Sequence, residues 1–464
     1  VTDPVVVVGG SVAALTAADA LASVGTPVEL FLPERGIGGG FLPLERDGRR
    51  LDLGPRVIEL RYDDAAPDAP LPPWSEYVPG PHGHRPFLAA VEAFVEGLAG
   101  ADLVAVPSPQ SSVLGRRTTD YALAGDLSGV ADALPSDLLA TMAEEAAAAR
   151  AAVGDHGWFA AERGGLPWDR SYGEIGRAHC GSTFFDVLVG SVAAKIVPGG
   201  ADEVLAPLHR KIWLPLFHPV TAWEAVTGSL TYVPNRPFAT VAGGGMGELV
   251  RRLHDRAVAS PMVTVRREGS LTEVTSHRGR AELRFATSAV VPAARPILGV
   301  SADELFAAAG IDHSVAKVQA TMVWVDLPQQ DVASLPSVLY SAEPELGVFR
   351  VTDSVADIVP GRRTVCCEIA CHVPSHEREA TALEALVALG VAASVERASV
   401  VASVSVPAFA APTGPNRAAF DAARAAFDRH HLPVHLVAGP TAFGVDTFNE
   451  QVVQGLAAAA QHAT

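Results

Sequence analysis

Residues 5–57 read VVVVGGSVAALTAADALASVGTPVELFLPERGIGGGFLPLERDGRRLDLGPRV, and this stretch decides the fold. Four consecutive valines, Val5–Val8, predict a strand that is apolar on both faces, as interior strands of a parallel sheet are. Gly9 and Gly10 turn the chain into an Ala/Leu-rich helix from Ala13 to Ala22, which Gly25, Thr26 and Pro27 terminate. Val28 to Leu32 predicts a second strand. The result is a βαβ unit whose glycine turn aims a helix N-terminus at an anionic group. The run Gly38-Gly39-Gly40 follows, then Asp52-Leu53-Gly54-Pro55.

The whole chain sets the limits. Its 464 residues can bury a full core and suit two domains. It is 48% hydrophobic and 19% charged, and no apolar run is long enough to span a bilayer. The first strand begins almost at once, which leads us to expect no signal peptide. A formal charge of −17 argues against nucleic acid and anionic membranes, because the phosphate contribution would be repulsive. The only lysines are Lys195, Lys211 and Lys317, so arginine carries nearly all the positive charge. Four cysteines, three of them between Cys366 and Cys371, form no disulfide framework, and a reducing cytoplasm is the expected compartment.

Asp63 to Pro86 is rich in Pro, Asp and Gly and holds Trp74, Tyr77 and the cluster His82-Gly83-His84-Arg85. It reads as a long irregular excursion, either lining a ligand entrance or lying solvated on the surface. The His-x-His pair lacks a third ligand at metal-binding spacing, so no metal is expected. Ser136 to Val153 is the clearest helix, with Ser136 as its N-cap. Strands are expected at Gln319–Val325, Ser337–Tyr340, Val348–Asp353 and Arg363–His372. Along the last of these, Cys367 and Cys371 share one face, while Cys366 points with Glu368 and His372 to the other. This spacing suits small buried residues, not a zinc site.

The order of strand, glycine turn, helix, strand, Gly-Gly pair and D-x-G-P segment resembles the FAD-binding half of a large flavoprotein group. Its members include amine oxidases, protoporphyrinogen oxidase, phytoene desaturases and UDP-galactopyranose mutase. Further segments resemble the same group. They are the helical stretch 171–228 with Leu216-Phe217-His218-Pro219, the return segment Ala242–Gly247 leading into a helix Glu248–Ala257, the strand Ala289–Pro292 with Pro296, and the closing stretch Leu432–Ala460. The aromatics Trp213, Phe217 and Trp223 read as core. The fold class implied is α/β, a Rossmann-like FAD/NAD(P)-binding domain of the GR2 type with a mixed sheet-plus-helices substrate domain. Residues 1–60, 240–300 and 430–464 would form the first domain, and 61–239 with 301–429 the second.

The resemblance also implies a cofactor site. Gly9, Gly10, Ser11, Val12, Ala13 and Ala14 would hold the pyrophosphate. Glu34 and Arg35 lie near the adenosine ribose, Gly38, Gly39 and Gly40 form the Gly-Gly segment, and Gly54, Pro55 and Arg56 face the flavin. Leu271 would contact adenine through its backbone, and Gly439, Thr447, Phe448 and Asn449 would meet the flavin at the final helix. Four positions depart from the group's pattern. Ser11 replaces the second glycine, and Leu32 stands where an acidic residue holds the ribose. Gly40 replaces a basic residue, and Pro440 a polar one. A lost charge-assisted hydrogen bond is worth about 1.5–3 kcal/mol, and each ~1.4 kcal/mol is tenfold in affinity.

The implied function is a soluble FAD-dependent oxidoreductase acting on a small organic molecule, with a biosynthetic role in secondary metabolism. Arg56, Tyr340 and Arg350 are its candidate catalytic residues. Arg350 is either an anchor for an anionic group or the partner of Glu368 across neighbouring strands. Two alternatives stand beside this reading. One is a cofactor-free catalyst of a cyclisation, isomerisation or elimination in the former flavin pocket. The other is a non-catalytic binding protein, as the Rab GDP-dissociation inhibitors are on this fold.

Overall fold

The computed structural model describes residues 3–34, 36–60, 84–162, 166–231, 233, 238–356 and 358–463. Most of the excursion expected over 63–86 lies outside them, as does Arg35. From His84 the chain is already helical (His84–Ala99).

The N-terminal unit forms as its sequence dictates. Strand β1 (Val5–Val8) leads through Gly9 into helix α1 (Val12–Ser23), and β2 (Val28–Phe31) follows. Gly9 has φ +116°, and a Cβ there would lie 2.4 Å from the carbonyl oxygen of Gly299, so only glycine lets the two backbones pass. Helix α2 (Gly245–Ala259) delivers β3 (Val263–Arg266), and β4 is Ile297–Leu298. The five-stranded sheet runs β3-β2-β1-β4 and ends on His435–Leu436, parallel throughout. Helix α1 is buried from Val12 to Ala18, and the final helix α3 (Phe448–His462) lies against it. At Gly455 of α3 a Cβ would come within 2.5 Å of the Ala13 carbonyl oxygen. The expected strand at Ala289–Pro292 is found as Val290–Ala293. It belongs to a separate antiparallel meander with Leu271–His277 and Arg280–Phe285, docked through the stacked rings of Phe31 and Phe285.

The second layer is a seven-stranded sheet. Its strands include β5 (Lys317–Pro328), β6 (Val338–Ser341), β7 (Val348–Asp353), β8 (Arg362–Ile369) and β9 (Ser399–Ala410). The order is β9-β5-β8-β7-β6, continued by Gln110–Val113 and Arg116–Thr119. Those last two strands are not among the ones the sequence led us to expect. Alternation assigns the two faces. Val323, Val325, Val351, Val365 and Cys367 pack under the helix Arg378–Ala388. Met322, Trp324 and Cys366 point the other way, onto Leu51. Cys366 and Cys367 are thus buried on opposite faces, while β8 ends before Cys371 and His372. A helical layer covers one end of the sheet, including Tyr172–Cys180, Ser182–Ile196 and Pro219–Thr227. The long helix there runs from Ser136 itself to Glu162, further than expected. Among the described residues no helix is long and apolar enough to cross a membrane.

One buried acid makes stability depend on pH. Oδ1 of Asp120 accepts from Ser111 Oγ (3.0 Å) and from the amides of Ala122 (2.9 Å) and Leu123 (3.1 Å). Burial nevertheless pushes its carboxyl up to about 6 from 3.8. The folded chain therefore holds this proton after the unfolded chain has lost it, and stability falls as pH rises through that window. Asp120→Asn removes this contribution. Against the variant, the wild type should lose roughly 2–3 kcal/mol between pH 4 and pH 7 in urea unfolding. A difference independent of pH would refute the burial effect.

Candidate functional site

Two amides just past the glycine turn, those of Ala13 and Ala14, are satisfied by the chain itself. Ser11 is the N-cap of α1, and its Oγ accepts from the Ala14 amide at 3.2 Å. The Ala13 amide donates to Gln451 Oε1 of α3 at 3.4 Å, and Gln451 is fixed by its own Nε2, which donates to the Asp446 carbonyl at 2.8 Å. Val12, Ala13 and Ala14 are fully buried. At the end of β2, Leu32 is 0% exposed inside the core. The nearby Glu29 is paired with Arg266 at 3.3 Å, and Glu34 points to solvent. The Leu271 amide, the expected adenine contact, donates to Glu304 Oε1 of the helix Ala302–Ala308 at 3.1 Å.

The same closure recurs at α3. Thr447 and Glu450 form a capping box, in which the Thr447 amide donates to the Glu450 carboxylate at 2.8 Å. Asn449 donates from its side chain to the Glu59 carbonyl, and the Phe448 ring meets Phe41 edge-on at 5.6 Å. Gly38 donates its amide to the Gly10 carbonyl, and Gly39 and Gly40 open the short turn Gly39–Phe41. Ahead of Gly439, the Ala438 amide donates to Gln454, and the Pro440 carbonyl accepts from Arg424.

Four of the expected FAD contacts are closed by the chain itself. The Ala14, Ala13, Leu271 and Thr447 amides carry acceptors from Ser11, Gln451, Glu304 and Glu450, while the Ser11 and Val12 amides meet none among the described residues. Two of those acceptors are carboxylates, which repel an anionic cofactor, and the ribose position is an apolar core side chain.

The surviving D-x-G-P segment has a structural explanation of its own. Asp52 Oδ2 accepts from the amides of Val355 (3.0 Å) and Ala356 (2.9 Å), and the Asp52 carbonyl accepts from Trp324 Nε1 (2.9 Å). Gly54 has φ +77°, and a Cβ there would lie 2.8 Å from Glu368 Oε1. The segment thus docks onto the seven-stranded sheet. Pro55 is buried behind it. Arg56 differs from its neighbours: among the described residues its guanidinium makes no hydrogen bond or ion pair, and its Nε is buried. Burial pulls its pKa down, opposed across space by Asp52 and Glu368.

Register brings Arg350 opposite both Glu368 and Tyr340, so the three side chains share the sheet face that meets Asp52. Arg350 donates from Nε and Nη2 to the two Glu368 oxygens at 2.6 and 2.7 Å, and from Nη1 to the Tyr340 hydroxyl at 2.7 Å. The ion-pair alternative for Arg350 is therefore the one formed. Burial disfavours the Arg350 charge, but Glu368 and Tyr340 outweigh it and hold its pKa up. Burial pushes the Tyr340 hydroxyl up to about 12. The guanidinium also lies 5.5 Å from the Trp213 ring centre, 5.3 Å from that of Tyr340 and 5.4 Å from that of Phe349.

Beside this cluster is a small cavity of about 50 Å³, walled by Lys195, Trp213, Gln319, Phe409, Arg350 and Glu368. Trp213 was expected in the core. Instead it is half-buried at φ +62°, a conformation that strains a bulky residue by roughly 1–3 kcal/mol. The helix Ser182–Ile196 contains a π turn at Asp186–Gly190, a feature that gathers at functional sites. One turn later its Lys195 donates to the carbonyls of Ser341 (3.0 Å), Glu343 (2.7 Å) and Val348 (3.1 Å). Burial takes that amine down to about 8. Little in the sequence marks Lys195 or Gln319 as lining a site. The one available cue was a lone lysine inside the apolar run Val192–Val197.

No protein-family model matches the chain, and no curated protein matches it. Solved structures do. Reduced UDP-galactopyranose mutase is 15% identical, with 100% of this chain and 94% of that one covered, at a TM-score of 0.69. A protein from Exiguobacterium sp. 255-15 assigned as a protoporphyrinogen oxidase is 14% identical over 100% and 99% of the two chains, at 0.63. Putrescine oxidase bound to putrescine is 17% identical over 99% and 98%, at 0.58. The resemblance read from the sequence holds at the level of the fold.

Arg350→Met should strand the Glu368 carboxylate and destabilise the chain by about 3–5 kcal/mol in urea unfolding. Replacing both partners, Arg350→Met with Glu368→Leu, should recover most of that loss. A double variant no more stable than the single one would show that the pair is not the source.

Proposed function

We propose that this chain is an enzyme of the amine-oxidase-like flavoprotein fold that works without flavin on a small organic molecule. One observation carries this reading. Four amides that would hold a dinucleotide, those of Ala14, Ala13, Leu271 and Thr447, are taken by Ser11, Gln451, Glu304 and Glu450, while a small cavity opens beside the Arg350–Glu368 pair. Residues 1–60, 240–300 and 430–464 then act as scaffold, and 61–239 with 301–429 supply the substrate side. Without an electron carrier the chemistry is redox-neutral, a cyclisation, isomerisation or elimination. The setting is a soluble, cytoplasmic, biosynthetic one.

Arg350 is the group best placed to act. Three of its five N–H donors are engaged, which leaves two on Nη1 and Nη2 for a ligand. Fixed donors in a dry cavity stabilise negative charge developing on a substrate oxygen and need no reorganisation. Tyr340 is a positioning residue: it is 1% exposed beneath the guanidinium and holds Nη1 in place. Trp213 and Phe409 supply the apolar wall. Arg350 and Lys195 outnumber Glu368 there, so the cavity favours neutral or anionic molecules over cations.

The test is the visible spectrum of the purified chain, taken before and after incubation with excess FAD and gel filtration. Neither sample should show flavin bands. Flavin that survives the column would overturn the reading.

A further inference from the structure

We propose that His435 and His462 form a zinc site that fastens the end of the final helix to the edge of the parallel sheet. The site stands apart from the cavity, whose walls include neither histidine, and it does not depend on the flavin-free reading.

The two imidazoles come from different elements. His435 opens the two-residue strand His435–Leu436, which ends the five-stranded sheet and pairs with β4 at Ile297. His462 is the last residue of α3. Their ring centres are 5.4 Å apart, and His462 Nε2 lies 3.3 Å from His435 Nδ1. An N–H donor usually stands about 2.7–3.2 Å from an oxygen acceptor, so as a direct hydrogen bond this contact is long. Two nitrogens each ~2.0–2.1 Å from one tetrahedral Zn²⁺ are about 3.3–3.4 Å apart. The pair therefore has the bite of two zinc ligands.

The surroundings suit that ion. Both rings are half-buried, so water can reach the site and complete the coordination. Water is needed, because among the described residues no third His, Cys, Asp or Glu joins the pair. Imidazole nitrogen selects zinc over Mg²⁺ and Ca²⁺, which take oxygen ligands. Ligation requires neutral rings. Burial lowers both pKa values, that of His462 to about 4, and Arg295 acts on both rings in the same direction. Arg295 also opposes a bound cation; its Nη2 donates to Gln461 Oε1 at 3.4 Å. The formal charge of −17 on the whole chain offsets that repulsion. An ion held here would tie down the far end of the helix that supplies Gln451 and the Thr447–Glu450 box.

The test is equilibrium dialysis of the chelator-washed full chain against Zn²⁺ near neutral pH, with thermal unfolding in the presence and absence of the ion. The chains compared are the wild type, His435→Ala, His462→Ala, His462→Gln and Arg295→Met. The wild type should take up one Zn²⁺ more than any of the three histidine variants. Zn²⁺ should raise the wild-type midpoint and leave theirs unmoved. His462→Gln separates the two roles, because it keeps a hydrogen-bonding side chain and loses the imidazole. Arg295→Met should bind Zn²⁺ more tightly than the wild type, since it removes a repelling charge. Four results would overturn the proposal. They are equal Zn²⁺ uptake by wild type and histidine variants, an equal rise of their midpoints, displacement of the ion by an equal concentration of Mg²⁺, and weaker binding in Arg295→Met.

Discussion

A carboxylate in a dry interior must be neutralised where it stands, and in this fold the carboxylate is Glu368. It projects from β8 onto the face of the seven-stranded sheet that receives the N-terminal unit. Antiparallel register places Arg350 directly opposite, and the bidentate pair removes the charge. Tyr340 takes one Nη1 donor from one strand further along. On the side of the N-terminal unit, Gly54 is the residue that lets backbone approach the carboxylate, and Asp52 locks the same turn onto Val355 and Ala356. A side chain at 54 would push the two layers apart at the point where they are joined.

The glycine turn obeys a second constraint. Helix N-termini present amides that need acceptors whether or not a ligand exists. When phosphate oxygens satisfy them, the neighbouring side chains must stay small or point away. When nothing does, the chain must bring its own. Here Ser11, Gln451 and the Thr447–Glu450 box perform that task on two helices, and Glu304 performs it for a strand. These replacements are mutually consistent. Leu32 sinks into the core where a ribose would need an acceptor, and Phe41 closes on Phe448. A cleft abandoned by its ligand would be expected to fill in this way.

Much of the fold was legible because its signals are local. Val5–Val8, the Gly9 turn and the strands about Gln319–Val325 and Val348–Asp353 announce themselves by composition and period, and each lies within a few residues of its expected place. The strands Gln110–Val113 and Arg116–Thr119 were missed because tertiary pairing with β6 outweighs weak local preference. The site was less legible. Ser11 and Leu32 could be recognised as departures, but the role of Gln451 or Glu304 depends on contacts across hundreds of positions. Trp213 was assigned to the core for its size. Its φ of +62° and its place over Arg350 are properties that no sequence window contains. Asp52-Leu53-Gly54-Pro55 follows the pattern of the flavoprotein group without needing a cofactor. Its hydrogen bonds and its packing on Glu368 provide another reason for keeping it.

Structural need does not extend one residue further, to Arg56. Nearby, Asp52 Oδ1 is likewise buried without a partner among the described residues, and a purely architectural arginine would be expected to have been paired or replaced by an apolar side chain, as buried charges often can be without loss. The two arginines thus differ. Arg350 is held by its partners and offers two spare donors to the cavity. Arg56 has its fork open, and it stands on a turn that cannot move without breaking the contact between Gly54 and Glu368.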